Sequence, residues 1–207
     1  MLRAAVLISG EGSNLQAILD TLHGRGEVEV VGVAASTAQA GGLERARRAG
    51  VETGVFALSD YDEREQRDAA LGDWLDERHV GLVVLAGFME LLSPAFIRRF
   101  RGRTINVHPS LLPAFPGIRA IQQALEYGVK VLGVTVHFVD EGVDSGAIIL
   151  QEAFPCPYPR RIAEIEEHVH RIEHRLLPRA VRLFAQGRLS IDPARPRQVE
   201  IEDEHRD

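Results

Sequence analysis

The chain has one cysteine, Cys156, in 207 residues, which excludes an internal disulfide and suits a reducing compartment. A buried or edge structural role is expected for that thiol. Positive charge is also in deficit. Against 30 Asp and Glu stand only 24 Lys and Arg, a net charge of −6, so general attraction to nucleic acid or an anionic membrane is disfavoured. Long apolar runs are missing too. The opening run from Ala4 stops at Ser9-Gly10, too short for a bilayer and without a signal-peptide cleavage pattern, so it reads as a first strand in a cytoplasmic protein. No Gly-x-Gly-x-x-Gly spacing or Walker lysine is present, so neither dinucleotide nor nucleoside triphosphate binding follows. Ser110 lies in no Gly-x-Ser-x-Gly elbow and reads as structural. There is no internal repeat, low-complexity linker or clear domain boundary.

A chain of this length suits one domain, or one sheet built in two halves, and can bury about two-thirds of its unfolded surface without a staple. Apolar runs at 4–8, 28–34 and 81–86 are nearly continuous, as strands covered on both faces must be, and helix-like segments separate them. In the first of these segments Leu15, Ile18, Leu19 and Leu22 form one helical stripe. Helices are also expected at 43–49 and 63–78, with short strands at 51–56 and 104–107. The second half changes style. A helix over 118–127 precedes longer strands at 131–139 and 147–154, which can pair as a hairpin. Over 161–186, Ile165, Val169, Ile172 and Leu176 mark a long amphipathic helix that Pro178 is expected to kink or divide. Short strands at 188–191 and 199–201 close the pattern. The fold class is α/β: a mainly parallel twisted sheet flanked by helices, with a β-hairpin in the C-terminal half.

The most informative stretch is Asn106-Val107-His108-Pro109-Ser110-Leu111-Leu112-Pro113. Residues two apart on a strand share a face, so Asn106 and His108 can converge on one small group, with Pro109 and Pro113 stiffening the chain beyond. Downstream, Asp144 sits in a loop with Gly142 and Gly146 on either side. An Asn, a His and an Asp together make an oxyanion and proton-transfer site, in which Asp144 is expected to favour a charged His108. Each alone has a blander reading: a turn cap, a satisfied interior histidine, a loop carboxylate. His137 shares a face with Thr135 and Val139, and reads equally as lining the site or as strand packing. Near the start, Gly10-Glu11-Gly12-Ser13-Asn14 joins a strand to a helix, where backbone N–H groups and the helix dipole favour an anion. An ordinary turn with Ser13 or Asn14 as N-cap fits the same residues.

Taken together, Ser9 to Gln16, Asn106 to Pro113, the Asp144 loop, Leu85-Ala86-Gly87-Phe88-Met89 and Glu173-His174 resemble the phosphoribosylglycinamide formyltransferase family, over nearly the whole chain. The Asn-x-His motif alone also resembles methionyl-tRNA formyltransferases and formyltetrahydrofolate hydrolases. The resemblance implies a Rossmann-like formyltransferase fold in a single domain over 1–207. Its phosphate-binding half would span about 1–100, its catalytic and folate-binding half about 101–190, and a tail 191–207. It implies transfer of the formyl group of 10-formyltetrahydrofolate to the amine of glycinamide ribonucleotide in purine biosynthesis, through a tetrahedral oxyanion and without a metal.

In that reading Asn106, His108 and Asp144 are catalytic, and Gly12, Ser13, Asn14, His170 and Glu173 bind the ribonucleotide. Arg64, Met89, Glu90, Leu91, Leu92, Asn106, Asp140, Glu141, Gly142, Val143 and Asp144 surround the folate. The partners implied are these small molecules alone, with no nucleic acid or membrane, for a monomer or homodimer. Three places depart from the family pattern: Glu11, where an uncharged residue is expected beside the phosphate; Glu90, where a basic one is expected near the folate's glutamate tail; and loop 113–120, with Ala114, Arg119 and Ala120 where more polar or basic character is expected. Loop 113–120 is expected to act as a mobile flap. Without the resemblance, Asp60 to Asp68 reads as a solvated helical face.

His170-Arg171-Ile172-Glu173-His174 also matches the inverted zinc-peptidase motif. Its third ligand could come only from Glu200, Glu202 or Glu204 in a short tail, which makes a zinc site a minor rival. A hydrolase that passes the formyl group to water is a second rival, and a non-catalytic phosphate-binding module a third. Without a metal, His168, His170 and His174 read as a solvated helix face.

Overall fold

A computed structural model describes residues 1–156 and 161–202. Backbone contacts divide the chain into two compact units, Met1–Asn106 and Val107–Asp207. In the first unit β1 (Leu2–Ile8), β2 (Val28–Ala35), β3 (Thr53–Val55) and β4 (Leu82–Leu85) alternate with α1 (Ser13–Thr21), α2 (Gly42–Arg48) and α3 (Arg64–Glu77). α4 (Pro94–Arg99) leads to β5 (Thr104–His108), the strand at the boundary. Every strand pair in this unit is parallel; Val6 of β1, for example, faces Val33 of β2 on one side and Val84 of β4 on the other. The middle of β1 and all of β4 are fully buried, which is why their sequences are continuously apolar rather than alternating.

The second unit holds α5 (Ala120–Tyr127), the antiparallel pair β6 (Val131–Phe138) and β7 (Ile148–Pro155), α6 (Ile162–Ala185), and a closing pair β8 (Leu189–Ile191) and β9 (Val199–Ile201). Strand order is β3-β2-β1-β4-β5-β6-β7 in a seven-stranded, mainly parallel sheet, with β8-β9 separate. This is the expected α/β class with its hairpin.

Two elements differ from expectation. Pro178 does not divide α6 into two helices. Proline's fixed φ is itself helical, and its N–H is the only donor lost. Ile165, Val169, Ile172, Leu176, Leu177 and Val181 are buried along the same helix, so packing offsets that loss. α4 is not among the expected helices. Its start is nonetheless written in Ser93-Pro94: the Ser93 hydroxyl accepts the Phe96 N–H at 3.3 Å, and Pro94 occupies the first turn, where no N–H partner is needed.

Candidate active site

In the second unit, three side chains from three segments meet. His108 ends β5, His137 lies near the end of β6, and Asp144 stands in the β6–β7 loop. Asp144 Oδ2 is 3.3 Å from His108 Nδ1, and Oδ1 is 3.6 Å from His137 Nε2. Both histidines are buried. The far edge of each ring faces a carbonyl: His108 Nε2 meets Phe115 O at 2.8 Å, and His137 Nδ1 meets Phe138 O at 2.8 Å. Asp144 Oδ2 also accepts the Gly117 N–H at 2.7 Å, so one carboxylate orients an imidazole and ties down loop 113–120. Asp144 itself has φ +49, and Phe115 and Arg119 have φ +52 and +61. Three non-glycine residues in left-handed backbone within one small region mark a locally strained site.

Electrostatics separate the two partners. Burial alone would raise the Asp144 carboxyl. Hydrogen bonds from His137 and from Gly117 N–H, with the nearby His108 and His137 charges, bring it down to about 2 instead. His108 moves below its ordinary value of 6.5, because burial outweighs the Phe115 carbonyl and the Asp144 charge. The attraction of Asp144 has the expected sign, favouring the charged ring, and desolvation is the larger effect. Both ring nitrogens of His108 face oxygens that only accept, the Phe115 carbonyl at Nε2 and the ionised Asp144 carboxylate at Nδ1, so the neutral ring can donate to only one of them at a time. Proton uptake by His108 therefore produces an imidazolium with an oxygen facing each N–H.

The segment after His108 is fixed by a buried polar knot. Thr135 Oγ1 donates to Ser110 O at 2.7 Å and accepts the Leu112 N–H at 3.1 Å. Gln151 Nε2 donates to the same hydroxyl at 2.9 Å and to Leu112 O at 3.0 Å. The Ser110 hydroxyl is engaged with Ala114 O at 2.5 Å, in keeping with a structural serine. Asn106 lies two residues before His108 on β5 and so shares its face of that strand. In the β6–β7 loop, Asp140 Oδ1 accepts from Gly142 N and Ser145 Oγ, while Glu141 and Val143 are exposed.

In the first unit, α1 begins at Ser13 with Gly12 as its N-cap, at φ +73 and without any side-chain cap. This corrects the reading of Ser13 or Asn14 as cap. A β-carbon on Gly12 would lie 2.6 Å from Gly42 Cα, so glycine is required by both conformation and space. The first turn of α1 contains no acidic residue. Arg45 Nε donates to the Glu11 carbonyl at 2.7 Å, which puts a guanidinium against the loop. The exposed Glu11 carboxylate lies over Gly41.

The stretch after β4 is also anchored. Ser9 N donates to Gly87 O at 3.0 Å, and Met89 N to Ser9 Oγ at 2.9 Å. Arg64 is exposed at the start of α3, as expected of a charge-rich run. Arg67 and Asp68 are not: both are buried, a correction to the solvated-face reading, with Arg67 paired to Glu90 and Asp68.

Comparison with known proteins decides the family. The formyl transferase family model matches residues 2–181. The chain belongs to the formyl transferase family. It is 41% identical to phosphoribosylglycinamide formyltransferase of Haemophilus influenzae over 192 residues, 92% of this chain and 91% of that one. It is 46% identical over 190 residues to the trifunctional purine biosynthetic protein adenosine-3 of Drosophila pseudoobscura pseudoobscura, covering 90% of this chain but only 14% of that protein. Its fold is similar to the crystal structure of glycinamide ribonucleotide transformylase 1 from Symbiobacterium toebii, with TM-score 0.93, 50% identity, and coverage of 98% of this chain and 95% of that one.

Of the candidate third ligands for the late histidine motif, Glu204 lies outside the described residues. Among the described residues, no group of three or more His, Cys, Asp or Glu is arranged to hold a metal ion. Glu173 is buried on α6, His170 is exposed, and the His170 and His174 rings stack with centroids 6.2 Å apart. Burial, followed by the nearby His170 charge, lowers the His174 pKa. His168 is not simply solvated: its ring stacks on Phe154 at 4.3 Å. No helix among the described residues is long and apolar enough to cross a membrane. Sequence reasoning missed Gly117 and Phe115, which act at the site through backbone atoms. Only a general signal for a special loop, Pro116-Gly117, was present.

Proposed function

We propose that this chain transfers the formyl group of 10-formyltetrahydrofolate to the amine of 5-phosphoribosyl glycinamide, a step of purine biosynthesis. The observation that carries the reading is Asp144 held against both His108 and His137, in a chain of the formyl transferase family. The ribonucleotide phosphate belongs at Gly12, Ser13 and Asn14, where the first-turn backbone N–H groups, the α1 dipole and the nearby Arg45 favour an anion. His170 and Glu173 are assigned to the rest of that substrate.

The folate supplies the formyl carbon. The residues fit it: Met89 and Leu91 stand 73% and 58% exposed beside Phe88, an apolar surface otherwise costly to leave in water. Leu92, Arg64 and the loop of Asp140, Glu141, Gly142 and Val143 complete the assignment. At the reacting centre Asn106 donates an amide N–H to the oxygen that gains negative charge. His108, whose pKa burial lowers, accepts the proton shed by the attacking amine, Asp144 holds the resulting imidazolium, and His108 returns that proton to the folate nitrogen as its bond to the formyl carbon breaks. With these groups in place, the reading needs no metal. The whole chain acts as one functional unit, a monomer or homodimer in the cytoplasm with small molecules as its partners.

The test is acceptor dependence. Purified protein is given 10-formyltetrahydrofolate with and without glycinamide ribonucleotide. Turnover only with both supports the transferase; formate release without the acceptor makes it a hydrolase; and inactivity in both arms removes the reading.

A further inference from the structure

Arg67 is 0% exposed and its neighbour Asp68 is 1% exposed, the only ionic pair of α3 sunk so deeply among the described residues. Neither takes part in the chemistry above. Arg67 Nε lies 2.6 Å from Asp68 Oδ1, a charge contact without hydrogen-bond geometry. Its guanidinium also pairs with the Glu90 carboxylate, donates to Leu91 O at 3.4 Å, and sits 5.6 Å from the Phe88 ring centroid. Asp68 Oδ2 accepts the Ser93 N–H. Buried ion pairs seldom repay their desolvation, and apolar replacements of similar volume are often neutral or stabilising. Fold stability is therefore a poor account of Arg67. What the pair does determine is the path of residues 88–93.

In that path Glu90 turns inward to Arg67, while Met89 and Leu91 on either side turn outward, 73% and 58% exposed. The chain bends at Glu90, and the Arg67 contacts to the Glu90 carboxylate and to Leu91 O hold that bend with Glu90 inward and its two neighbours outward. We infer that Arg67 is a positioning residue for the folate, holding Glu90 inward so that Met89 and Leu91 form the apolar seat for the cofactor's ring system. The pairing also neutralises a carboxylate that would otherwise face an anionic cofactor. This inference rests on the proposed function.

The experiment is steady-state kinetics with each substrate varied in turn, together with thermal unfolding, for wild type, Arg67→Met, Arg67→Lys and Glu90→Ala. Glu90→Ala leaves Arg67 paired with Asp68, so it keeps the test usable if Arg67→Met does not fold. The KM for 10-formyltetrahydrofolate is expected to rise about tenfold in Arg67→Met and Glu90→Ala, well beyond any change in kcat. The KM for the ribonucleotide should stay within about twofold. Arg67→Lys should recover part of the loss, because it keeps the charge but cannot fork between Glu90 and Leu91 O. An unchanged or lowered folate KM in Glu90→Ala, or a fall in melting temperature with both KM values unmoved, overturns the positioning role while leaving the function intact. Absence of turnover in the wild type removes the function and this inference with it.

Discussion

One oxygen of Asp144 serves two partners: Oδ2 lies 3.3 Å from His108 Nδ1 and accepts the Gly117 N–H at 2.7 Å. The His108 ring and the backbone of loop 113–120 are thereby tied to the same atom. Asp144→Asn is the informative change, because asparagine tolerates the φ of +49 and can still accept from Gly117.

The pH profile should follow His108. As a base the ring works unprotonated, so the rate should rise with pH through a limb below 6.5, the side to which burial moves this group. The Asp144 charge raises the His108 pKa, so Asp144→Asn should shift that limb to still lower pH as well as reduce turnover. A limb that stays in place in the variant would mean that Asp144 does not act on His108.

Acid stability carries a separate signature of the same carboxylate. Its pKa falls from 3.8 to about 2 on folding, so its stabilisation is complete above the unfolded value and is lost as pH drops through the folded one. The stability gap between wild type and Asp144→Asn, on the order of 2 kcal/mol near neutrality, should therefore close between about pH 4 and pH 2. Denaturant unfolding across that window measures it. His108, with its lowered pKa, adds a gradual loss that begins below pH 6.5 in both proteins.

Gly12→Ala tests the proposed phosphate cradle by conformation and by space. The φ of +73 costs an L-residue about 1–2 kcal/mol, and the added carbon would sit 2.6 Å from Gly42 Cα. The KM for the ribonucleotide should rise at least tenfold, with a smaller effect on folate. Titration with inorganic phosphate should show weaker competition in the variant than in wild type.

Thr135→Val keeps the shape but removes a hydroxyl that serves Ser110, Leu112 and Gln151. Leaving such buried groups unsatisfied costs about 1–3 kcal/mol. A drop in melting temperature of several degrees is expected, roughly 2–4 °C per kcal/mol for a chain of this size. An unchanged melting temperature would show that the knot is replaced by water.

Much of this architecture is legible in the sequence. Strands β1, β2 and β4 announce themselves as continuous apolar runs because both of their faces are covered, and α1 by a stripe at helical spacing. His108 and Asp144 are legible as chemistry, since a carboxylate in a glycine-flanked loop can reach across a fold. What stays hidden acts through backbone or through context. The Phe115 carbonyl and Gly117 N–H have no side-chain signature. Arg67 sits in a run of charges that reads as solvated, and only the position of Glu90 shows why it is buried. Likewise, the sign of the His108 shift depends on how much water the fold removes, a quantity no local sequence encodes.

The most direct test of the central claim is to follow isotope-labelled formyl carbon from 10-formyltetrahydrofolate into glycinamide ribonucleotide, in a single turnover, with wild type and a folded His108→Ala variant. Wild type should pass the label to the ribonucleotide amine, and the variant should do so roughly 10²–10⁴-fold more slowly, as expected for loss of a general base. Label appearing as free formate in the wild type, or transfer at an undiminished rate in the variant, would contradict the account.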